Sequence, residues 1–249
     1  MHRFYLPPAQ SQGDQLTLAD GEAHHALHVV RVRRGERVVV LDGVGHELLC
    51  EVRDTDRHTV TLTVTQRNSI PPLPYRLLLA QAVTKGKTMD VIVQKATELG
   101  VHRIIPILSE RSVPHVEEES APAKVEKWEV AAIDAVKQCG SAWLPQIDFP
   151  LMVQAFLAHG NRFDLSLIAT LQGDGLHPRR HFENYREERR RNPESVCVWI
   201  GPEGDFTPAE LHAIKTAGAL PISLGPLVLR SETAAIYSLS VLNYELQPC

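Results

Sequence analysis

The sequence predicts a small, mostly β domain followed by a larger α/β domain on a parallel sheet, and three observations lead to this prediction. Residues 37–67 contain the apolar runs and period-two alternation that are typical of strands. The segment NSIPPLPYR, residues 68–76, has three prolines within four residues, which neither a sheet nor a helix accommodates. Beyond it, apolar strands alternate with amphipathic helices, as in βαβ units. We therefore expect one domain at residues 1–70 and another at residues 74–249.

The first domain contains three predicted strands separated by turn signals. Residues 37–43, RVVVLDG, form a short apolar run, and residues 46–54, HELLCEVRD, follow the turn cluster DGVGH. Residues 59–67, TVTLTVTQR, alternate with period two and are rich in β-branched side chains. Short strands this close in sequence favour a small β domain or barrel.

The second domain contains predicted buried strands with amphipathic helices between them. The strands are RLLLAQAV, HRIIPIL, FDLSLIAT, SVCVWIG and LPISLG. The helix MDVIVQKATELG should stop at Gly100 and bury one face, formed by Met89, Ile92, Ala96 and Leu99. The helix AKVEKWEVAAIDAVKQCG should stop at Gly140 and bury Val125, Trp128, Ala132, Ala135 and Cys139. In a parallel sheet, ligands collect at the carboxyl ends of the strands.

The loop GPEGD, residues 201–205, joins a predicted strand to a predicted helix. Its glycines let the backbone approach a ligand closely, and Glu203 lies where the N–H groups of a helix N-terminus would hold a carboxylate. The helix has the capping-box residues Thr207, Pro208 and Glu210, a stripe of Leu211, Ile214 and Ala217, and a stop at Gly218. The loop alone leaves a ligand site and a plain tight turn equally open.

Bulk composition excludes several classes of function. The net charge is −4, so any basic surface must be local. The four cysteines are scattered without a CxxC pair, which argues against a disulfide framework or a zinc site. No apolar run reaches eighteen residues and the N-terminus has no leader pattern, so we expect a cytoplasmic protein with no membrane span.

Two motifs resemble known functional motifs, but the residues around them do not support either function. KGKT, residues 85–88, looks like the end of a phosphate-binding loop, but Gln81 stands where that loop needs its first glycine. In HHALH, only His24 and His28 share a helical face, and no acidic or cysteine partner stands at ligand spacing. We expect neither a nucleotide triphosphatase nor a metal site.

Two segments near the C-terminus are predicted from their composition. Residues 234–246, AAIYSLSVLNYEL, are apolar nearly all round, so this helix should be buried, either in a dimer interface or in the core of a monomer. The segment RRHFENYREERRRNPE mixes both signs of charge and should form a solvated face.

Five segments, in order, resemble the RsmE family of RNA methyltransferases in the SPOUT superfamily. They are MHRFYL, HHALHVVRVRRGE, KGKTMDVIVQKATELGVHRIIPILSERS, WEVAAIDAVKQCG, and GPEGDF with LGPLVLRSETAAIYSLSVLNYEL. The resemblance implies a PUA-like β-barrel RNA-binding domain, then an α/β methyltransferase domain with a deep trefoil knot and a parallel sheet. It further implies a homodimer that binds S-adenosylmethionine and methylates N3 of a uridine near the 3′ end of 16S rRNA in the small ribosomal subunit.

The resemblance also implies roles for individual residues. The cofactor would be held by three loops, through Thr170, Leu171, Gly201, Glu203, Gly204, Leu224, Gly225 and Leu229. RNA would be bound by Arg3, His25, Arg31, Lys85, Arg111 and Gln138. In LRSETA, Arg230 would polarise the uracil and Glu232 would act as the base or orient it, because N3 carries a proton that must leave. The competing interpretation is that these two residues form an ion pair capping the last helix.

Three positions depart from the family pattern. Asp205 stands in place of a glycine, and Ser141 and Leu227 stand in place of arginines. Fewer arginines thin the basic lining of an RNA site, so two alternatives stay open. One is a SPOUT methyltransferase that acts on another RNA position, such as a ribose 2′-hydroxyl. The other is an RNA-binding homologue with impaired catalysis.

Overall fold

The computed structural model describes residues 1–112, 120–173 and 175–247. The chain divides into two compact units. The first unit combines residues 1–72 with residues 133–144, and the second combines residues 73–132 with residues 145–249. The first break, between Pro72 and Leu73, lies inside the proline-rich segment.

The first unit is built on one five-stranded sheet. Its strands are β1 (His2–Tyr5), β2 (Gln15–Leu18), β3 (Arg37–Leu41), β4 (His46–Thr55) and β5 (Val60–Ser69), in the order β1-β3-β4-β5-β2. Only the β1–β3 pairing is parallel. A short helix α1 (Asp20–His24) continues as a π-helical segment, His25–Val30. The prediction of the three strands β3, β4 and β5 is confirmed, whereas β1 and β2, which span four residues each, were not predicted.

Residues 133–144 belong to the first unit through a cluster of charged groups. The Lys137 Nζ lies 2.6 Å from Glu22 Oε1 and 3.0 Å from Asp134 Oδ1. Arg3 Nη1 donates to the carbonyl oxygen of Gln138 at 3.1 Å. Burial lowers the pKa of Lys137, but the hydrogen bonds and charges of Glu22 and Asp134 outweigh it and raise the pKa above its usual range. These contacts tie the N-terminal strand and α1 to residues distant in sequence.

The second unit is built on a parallel sheet, as predicted. Its strands are β6 (Arg76–Ala82), β7 (Arg103–Leu108), β8 (Gln146–Ile147), β9 (Leu151–Met152), β10 (Leu165–Ala169), β11 (Ser195–Ile200) and β12 (Leu220–Ile222). The order is β12-β10-β11-β6-β7-β8, with β9 also paired to β7, and every recorded pairing is parallel. β11, at the centre of this sheet, is buried along its whole length, and its Trp199 ring contacts Phe156 and Phe206 edge-on.

Further helices follow α1 along the chain. They are α2 (Thr88–Glu98), α3 (Ala121–Cys139), α4 (Val153–Ala158), α5 (Pro178–Arg189), α6 (Pro208–Thr216) and α7 (Ser231–Leu246). The capping box at α6 is confirmed: the Thr207 side chain accepts from the Glu210 N–H, and Glu210 accepts from the Thr207 N–H. Among the described residues, no helix combines the length and the apolar character that a membrane span needs.

Several burial predictions are wrong, each at the end or the far face of a helix. Leu99 is only half-buried and Ala217 is exposed, because each is the residue at which its helix stops. Cys139 is exposed for the same reason, as the last residue of α3. The last helix is not buried all round, since Tyr237 and Tyr244 are exposed on one side of α7. The charged segment at α5 buries one face through His181, Phe182 and Tyr185.

Candidate active site

A cleft of about 290 Å³ opens at the carboxyl ends of β10, β11 and β12. Three loops line it: residues 169–173 after β10, residues 200–205 after β11, and residues 223–229 before α7, joined by Ser231 and Ala234 of α7 itself. All eight predicted cofactor residues belong to these loops, and seven of them line the cleft directly; Gly204 is within the second loop but not on the surface of the cleft. The parallel sheet thus brings together side chains that are up to sixty residues apart in sequence.

The loop after β10 is held against the end of β12. The Thr170 N–H donates to the Ile222 carbonyl oxygen at 3.2 Å, and Thr170 Oγ1 accepts from the Gln172 N–H at 3.0 Å. Farther along, the backbones touch: a Cβ added to Gly175 would lie 2.7 Å from the Ser223 nitrogen. Leu171, by contrast, is 60% exposed. The first loop therefore offers fixed backbone groups and one free apolar side chain.

The loop after β11, residues 201–205, is braced by its neighbours, and we call it the GPEGD loop. Its Gly201 carbonyl oxygen accepts from Ser231 Oγ at 2.9 Å, and its Gly204 carbonyl oxygen accepts from Arg111 Nη1 at 2.8 Å. Asp205 has a left-handed backbone with φ of 59°, and its Oδ1 accepts from the Phe206 N–H at 2.8 Å. Aspartate is among the few residues other than glycine that adopt a left-handed conformation readily.

Glu203 is exposed and makes no hydrogen bond or ion pair with any other described residue. The expectation that the N-terminus of α6 holds the Glu203 carboxylate is therefore wrong. Glu210 takes that place: it is 1% exposed, and its Oε1 accepts from the Glu110 N–H while its Oε2 accepts from Ser109 Oγ and the Thr207 N–H. Because Glu210 satisfies these donors, Glu203 is left free to face the cleft.

A buried hydrogen-bond chain, which was not predicted, supports the loops of the cleft. Gln81, at the end of β6, is completely buried, and its Nε2 donates to Ser231 Oγ at 2.9 Å. Ser231 Oγ donates in turn to the Gly201 carbonyl oxygen. The chain therefore joins a strand end, the first turn of α7 and the GPEGD loop. Its members Gln81 and Ser231 are 150 residues apart, so no local pattern could reveal it.

The two predicted catalytic residues flank Ser231 at the start of α7. Arg230 is the N-cap residue, is exposed, and makes no side-chain capping bond; Glu232 is half-buried in the first turn. No ion pair between them is found in the described part of the chain. The interpretation of this pair as an ion-paired cap is therefore wrong. Neither side chain has a recorded hydrogen bond or ion pair with another described residue, and neither lines the cleft itself.

The residues predicted to bind RNA are not in the cleft. Arg3 donates to carbonyl oxygens at the end of α3, Arg31 has a left-handed backbone and bonds to the His28 carbonyl oxygen, and the half-buried His25 ring packs edge-on to Phe4. Lys85 and Gln138 are exposed, and Arg111 bonds to the GPEGD loop. None of these six lines the cleft.

The cleft has a one-sided charge. Among its described lining residues, the charged ones are Glu203 and Asp205, both acidic, and none is basic. Apolar side chains at Leu171, Leu227 and Val228 supply much of the remaining surface. Within the described chain, no group of three or more histidine, cysteine or acidic side chains is placed to hold a metal ion.

Comparison with known proteins identifies similar chains along the whole sequence. A family model described as an RNA methyltransferase domain matches residues 71–243, and one described as an RNA methyltransferase PUA domain matches residues 18–65. The ribosomal RNA small subunit methyltransferase E of Aquifex aeolicus is 32% identical, over 97% of this chain and 99% of that protein. The protein of the same name from Bacillus subtilis is 27% identical, over 99% of this chain and 98% of that protein.

Solved structures give the same result for the fold. A protein from Legionella pneumophila, solved with S-adenosylmethionine bound, is 31% identical and superimposes with a TM-score of 0.85, over 97% of this chain and 96% of that chain. A ribosomal RNA small subunit methyltransferase E from Neisseria gonorrhoeae, also bound to S-adenosylmethionine, is 26% identical with a TM-score of 0.84, over 98% of this chain and 97% of that chain.

Proposed function

This chain belongs to the RNA methyltransferase family, and from that membership we propose that it transfers a methyl group from S-adenosylmethionine to N3 of a uridine near the 3′ end of 16S rRNA. The observation that carries the proposal is the placement of Arg230 and Glu232 on either side of Ser231, which lines the cleft. A cofactor-sized cleft and two side chains suited to uracil chemistry thus meet at one helix start.

The residues of the cleft fit S-adenosylmethionine. Adenine and ribose are neutral, and they suit a surface made of loop backbone and the apolar side chains Leu224 and Leu229. The sulfonium and ammonium groups are cationic, and they suit a lining whose charged members are acidic. The eight residues named as cofactor ligands from the sequence remain our assignment: Thr170, Leu171, Gly201, Glu203, Gly204, Leu224, Gly225 and Leu229.

The chemistry assigns two tasks to the chain. The bound cofactor supplies an electrophilic methyl group, whose bond to sulfur breaks as the bond to N3 forms, with the electron pair of the broken bond returning to sulfur. The loops hold the reactants in line, because positioning is the main requirement of such a displacement. Glu232 takes the N3 proton, and Arg230 stabilises the negative charge that spreads onto the uracil oxygens.

Further parts of the proposal concern the RNA and the assembly. Residues 1–70 grip RNA as a PUA-like domain, residues 74–249 form the methyltransferase domain, and Arg3, His25, Arg31, Lys85, Arg111 and Gln138 contribute to RNA binding. The C-terminal domain contains a trefoil knot, and the protein acts as a cytoplasmic homodimer. The exposed tyrosines of α7, Tyr237 and Tyr244, together with Leu227 and Val228, supply apolar surface for that dimer.

The test uses S-adenosylmethionine with a labelled methyl group and small ribosomal subunits that lack the modification. Label at uridine N3, mapped to the nucleotide and the atom, is the expected result. Naked 16S rRNA serves as the second substrate, which separates a requirement for the assembled subunit from a requirement for the sequence. Bound cofactor without label on either substrate would show that the target differs.

A second candidate is methylation of another RNA position, and Leu227 favours it. This side chain is 75% exposed at the rim of the cleft, where similar sequences have an arginine. An apolar side chain there changes which RNA surface the rim can accept. Label on a ribose 2′-hydroxyl in the mapping experiment would select this candidate, and absence of both label and cofactor binding would select an RNA-binding homologue with impaired catalysis.

A further inference from the structure

We propose that the carboxylates of Asp205 and Glu203 make the cleft bind the positively charged cofactor more tightly than its neutral product. They would thereby favour replacement of the product by a new molecule of cofactor. The inference rests on the proposed function and deepens it. It begins from the charge of the lining: two carboxylates and, among the described lining residues, no basic side chain.

The two ligands differ in one formal charge. S-adenosylmethionine has a sulfonium and an ammonium group against one carboxylate, whereas S-adenosylhomocysteine has a neutral sulfur in place of the sulfonium. A carboxylate near the ligand therefore stabilises the first more than the second. Shape and hydrogen-bonding groups are otherwise shared, so the charge of the lining is what distinguishes reactant from product.

Asp205 contributes this charge as a feature of this particular sequence. Its left-handed backbone, with φ of 59°, is a conformation that aspartate adopts more readily than most residues. One carboxylate oxygen is engaged, because Oδ1 accepts from the Phe206 N–H. No hydrogen bond to Oδ2 is found among the described residues. The side chain is thus fixed in place with its charge unpaired at the cleft.

Glu203 contributes the second charge from the same loop. It lines the cleft and is exposed, and the carboxylate position at the start of α6 is already occupied by Glu210. Two positive features adjoin the loop: the Arg111 guanidinium, bonded to the Gly204 carbonyl oxygen, and the N-terminus of α6. Arg230, next to the lining residue Ser231 at the start of α7, is a third positive group. None of the three is on the surface of the cleft, where both charged side chains are acidic.

Asparagine at position 205 isolates the charge. Its side-chain oxygen accepts from the Phe206 N–H as Oδ1 does, and asparagine also adopts left-handed backbone readily. Asp205→Asn therefore removes one charge and retains both the loop and its hydrogen bond. Glu203→Gln does the same at a residue with no partner to lose. Glu187→Gln, on the exposed side of α5, is the matched control, because it changes the net charge equally but away from the cleft.

The test measures the dissociation constants of both ligands for the full chain by titration calorimetry. Asp205→Asn and Glu203→Gln should each weaken S-adenosylmethionine binding by about threefold, the size expected for a partly exposed ion pair. S-adenosylhomocysteine affinity should stay unchanged, and Glu187→Gln should alter neither. Added salt should reduce the preference for the charged ligand in the unsubstituted protein and less so in the variants.

Two results would overturn the inference, and they are distinguishable from failure of the proposed function. Equal weakening of both ligands would show that the carboxylates act on groups the two ligands share, such as the ammonium group, and do not discriminate between them. Unchanged affinity for both would show that the carboxylates do not contribute to binding. If the unsubstituted protein binds neither ligand, the proposed function itself fails and the inference with it. Thermal melting of each variant checks that the fold is intact.

Discussion

Two loops face each other across the same cleft and are built in opposite ways. The GPEGD loop, residues 201–205, is bonded to Ser231, to Arg111 and to itself through the Asp205 N–H and the Pro202 carbonyl oxygen. For residues 224–229, the described structure records only the bond from the Gly225 N–H to Ser223 Oγ. Leu227 and Val228 in that second loop are 75% and 77% exposed.

The difference separates two tasks within one site. A wall with fixed backbone groups can position a ligand without reorganising, which is what a displacement reaction requires. The exposed apolar side chains of the second loop contact no partner within the described chain, so they are available to contact a molecule that binds there. We infer that the GPEGD loop positions the cofactor together with Leu224, Gly225 and Leu229, and that the exposed side chains Leu227 and Val228 contact the RNA or a second copy of the chain.

The largest expected effect lies where the second loop meets α7, at Arg230. We expect Arg230→Ala to lower kcat by about 100-fold, the loss typical of removing one group that stabilises developing negative charge. Cofactor affinity should be unchanged, because Arg230 does not line the cleft. Single-turnover assays with labelled cofactor measure the first quantity and calorimetry the second.

Arg162→Ala is the control for this change, since Arg162 is an exposed arginine with no recorded side-chain bond in the described structure. That variant should retain normal turnover. Near-normal turnover of Arg230→Ala with an intact fold would remove Arg230 from the chemistry and leave Glu232 as the residue to test.

The next largest effect is expected from removing the hydrogen bond between Ser231 and the GPEGD loop. Ser231→Ala leaves the Gln81 amide and the Gly201 carbonyl oxygen without their shared partner. An unsatisfied buried polar group costs about 1–3 kcal/mol, so urea denaturation should show a loss of stability in that range. Cofactor affinity should fall as well, because the loop loses its anchor to α7.

Gln81→Met tests whether the chain acts as a unit. Methionine has a similar length and no amide to leave unpaired. The double variant Gln81→Met with Ser231→Ala should therefore lose less stability than the sum of the losses of the two single variants. Strict additivity in this double-mutant cycle would mean that Gln81 and Ser231 contribute independently, contrary to the geometry.

A smaller effect is expected from the backbone at position 205. Asp205→Gly and Asp205→Ala both lose the bond to the Phe206 N–H, but only glycine adopts φ near 59° without strain. We expect Asp205→Ala to be less stable than Asp205→Gly by about 1–2 kcal/mol in urea denaturation. Equal stability of the two would show that the loop relaxes out of the left-handed conformation.

Local sequence patterns predicted the parts of this fold that depend on local physics. The central strands β3–β5, β10 and β11 have clear periodicity or long apolar runs, and the capping box of Thr207 and Glu210 needs only residues three apart. Helix ends were harder: Ala217 and Cys139 continue an apolar stripe, yet the helix stops there and the stripe no longer faces the core.

The remainder depended on contacts between distant residues. The Gln81–Ser231 bond crosses 150 positions, and the contact of Arg3 with Gln138 crosses 135, so neither leaves a periodic signal. The engagement of Glu210, which leaves Glu203 free, also required the loop after β7 to be in place. The loops of the cleft were identified through family resemblance, since spacing alone left the GPEGD loop open between a ligand site and a turn.

The smallest effect is expected in the exposed loop, from Leu227→Arg. Leu227 is 75% exposed, so the change should leave stability and cofactor affinity unaltered. An arginine there adds a positive charge, and one added phosphate contact should steepen the salt dependence of RNA binding by a slope of about 0.7–0.9. Filter binding to 16S rRNA at several salt concentrations measures that slope.

Leu227→Gln controls for the loss of apolar surface, because it is polar without being charged. If both variants weaken binding equally, the exposed leucine itself contacts the RNA or the second subunit. If Leu227→Arg alone strengthens binding, the side chain at position 227 faces the phosphate backbone of the RNA.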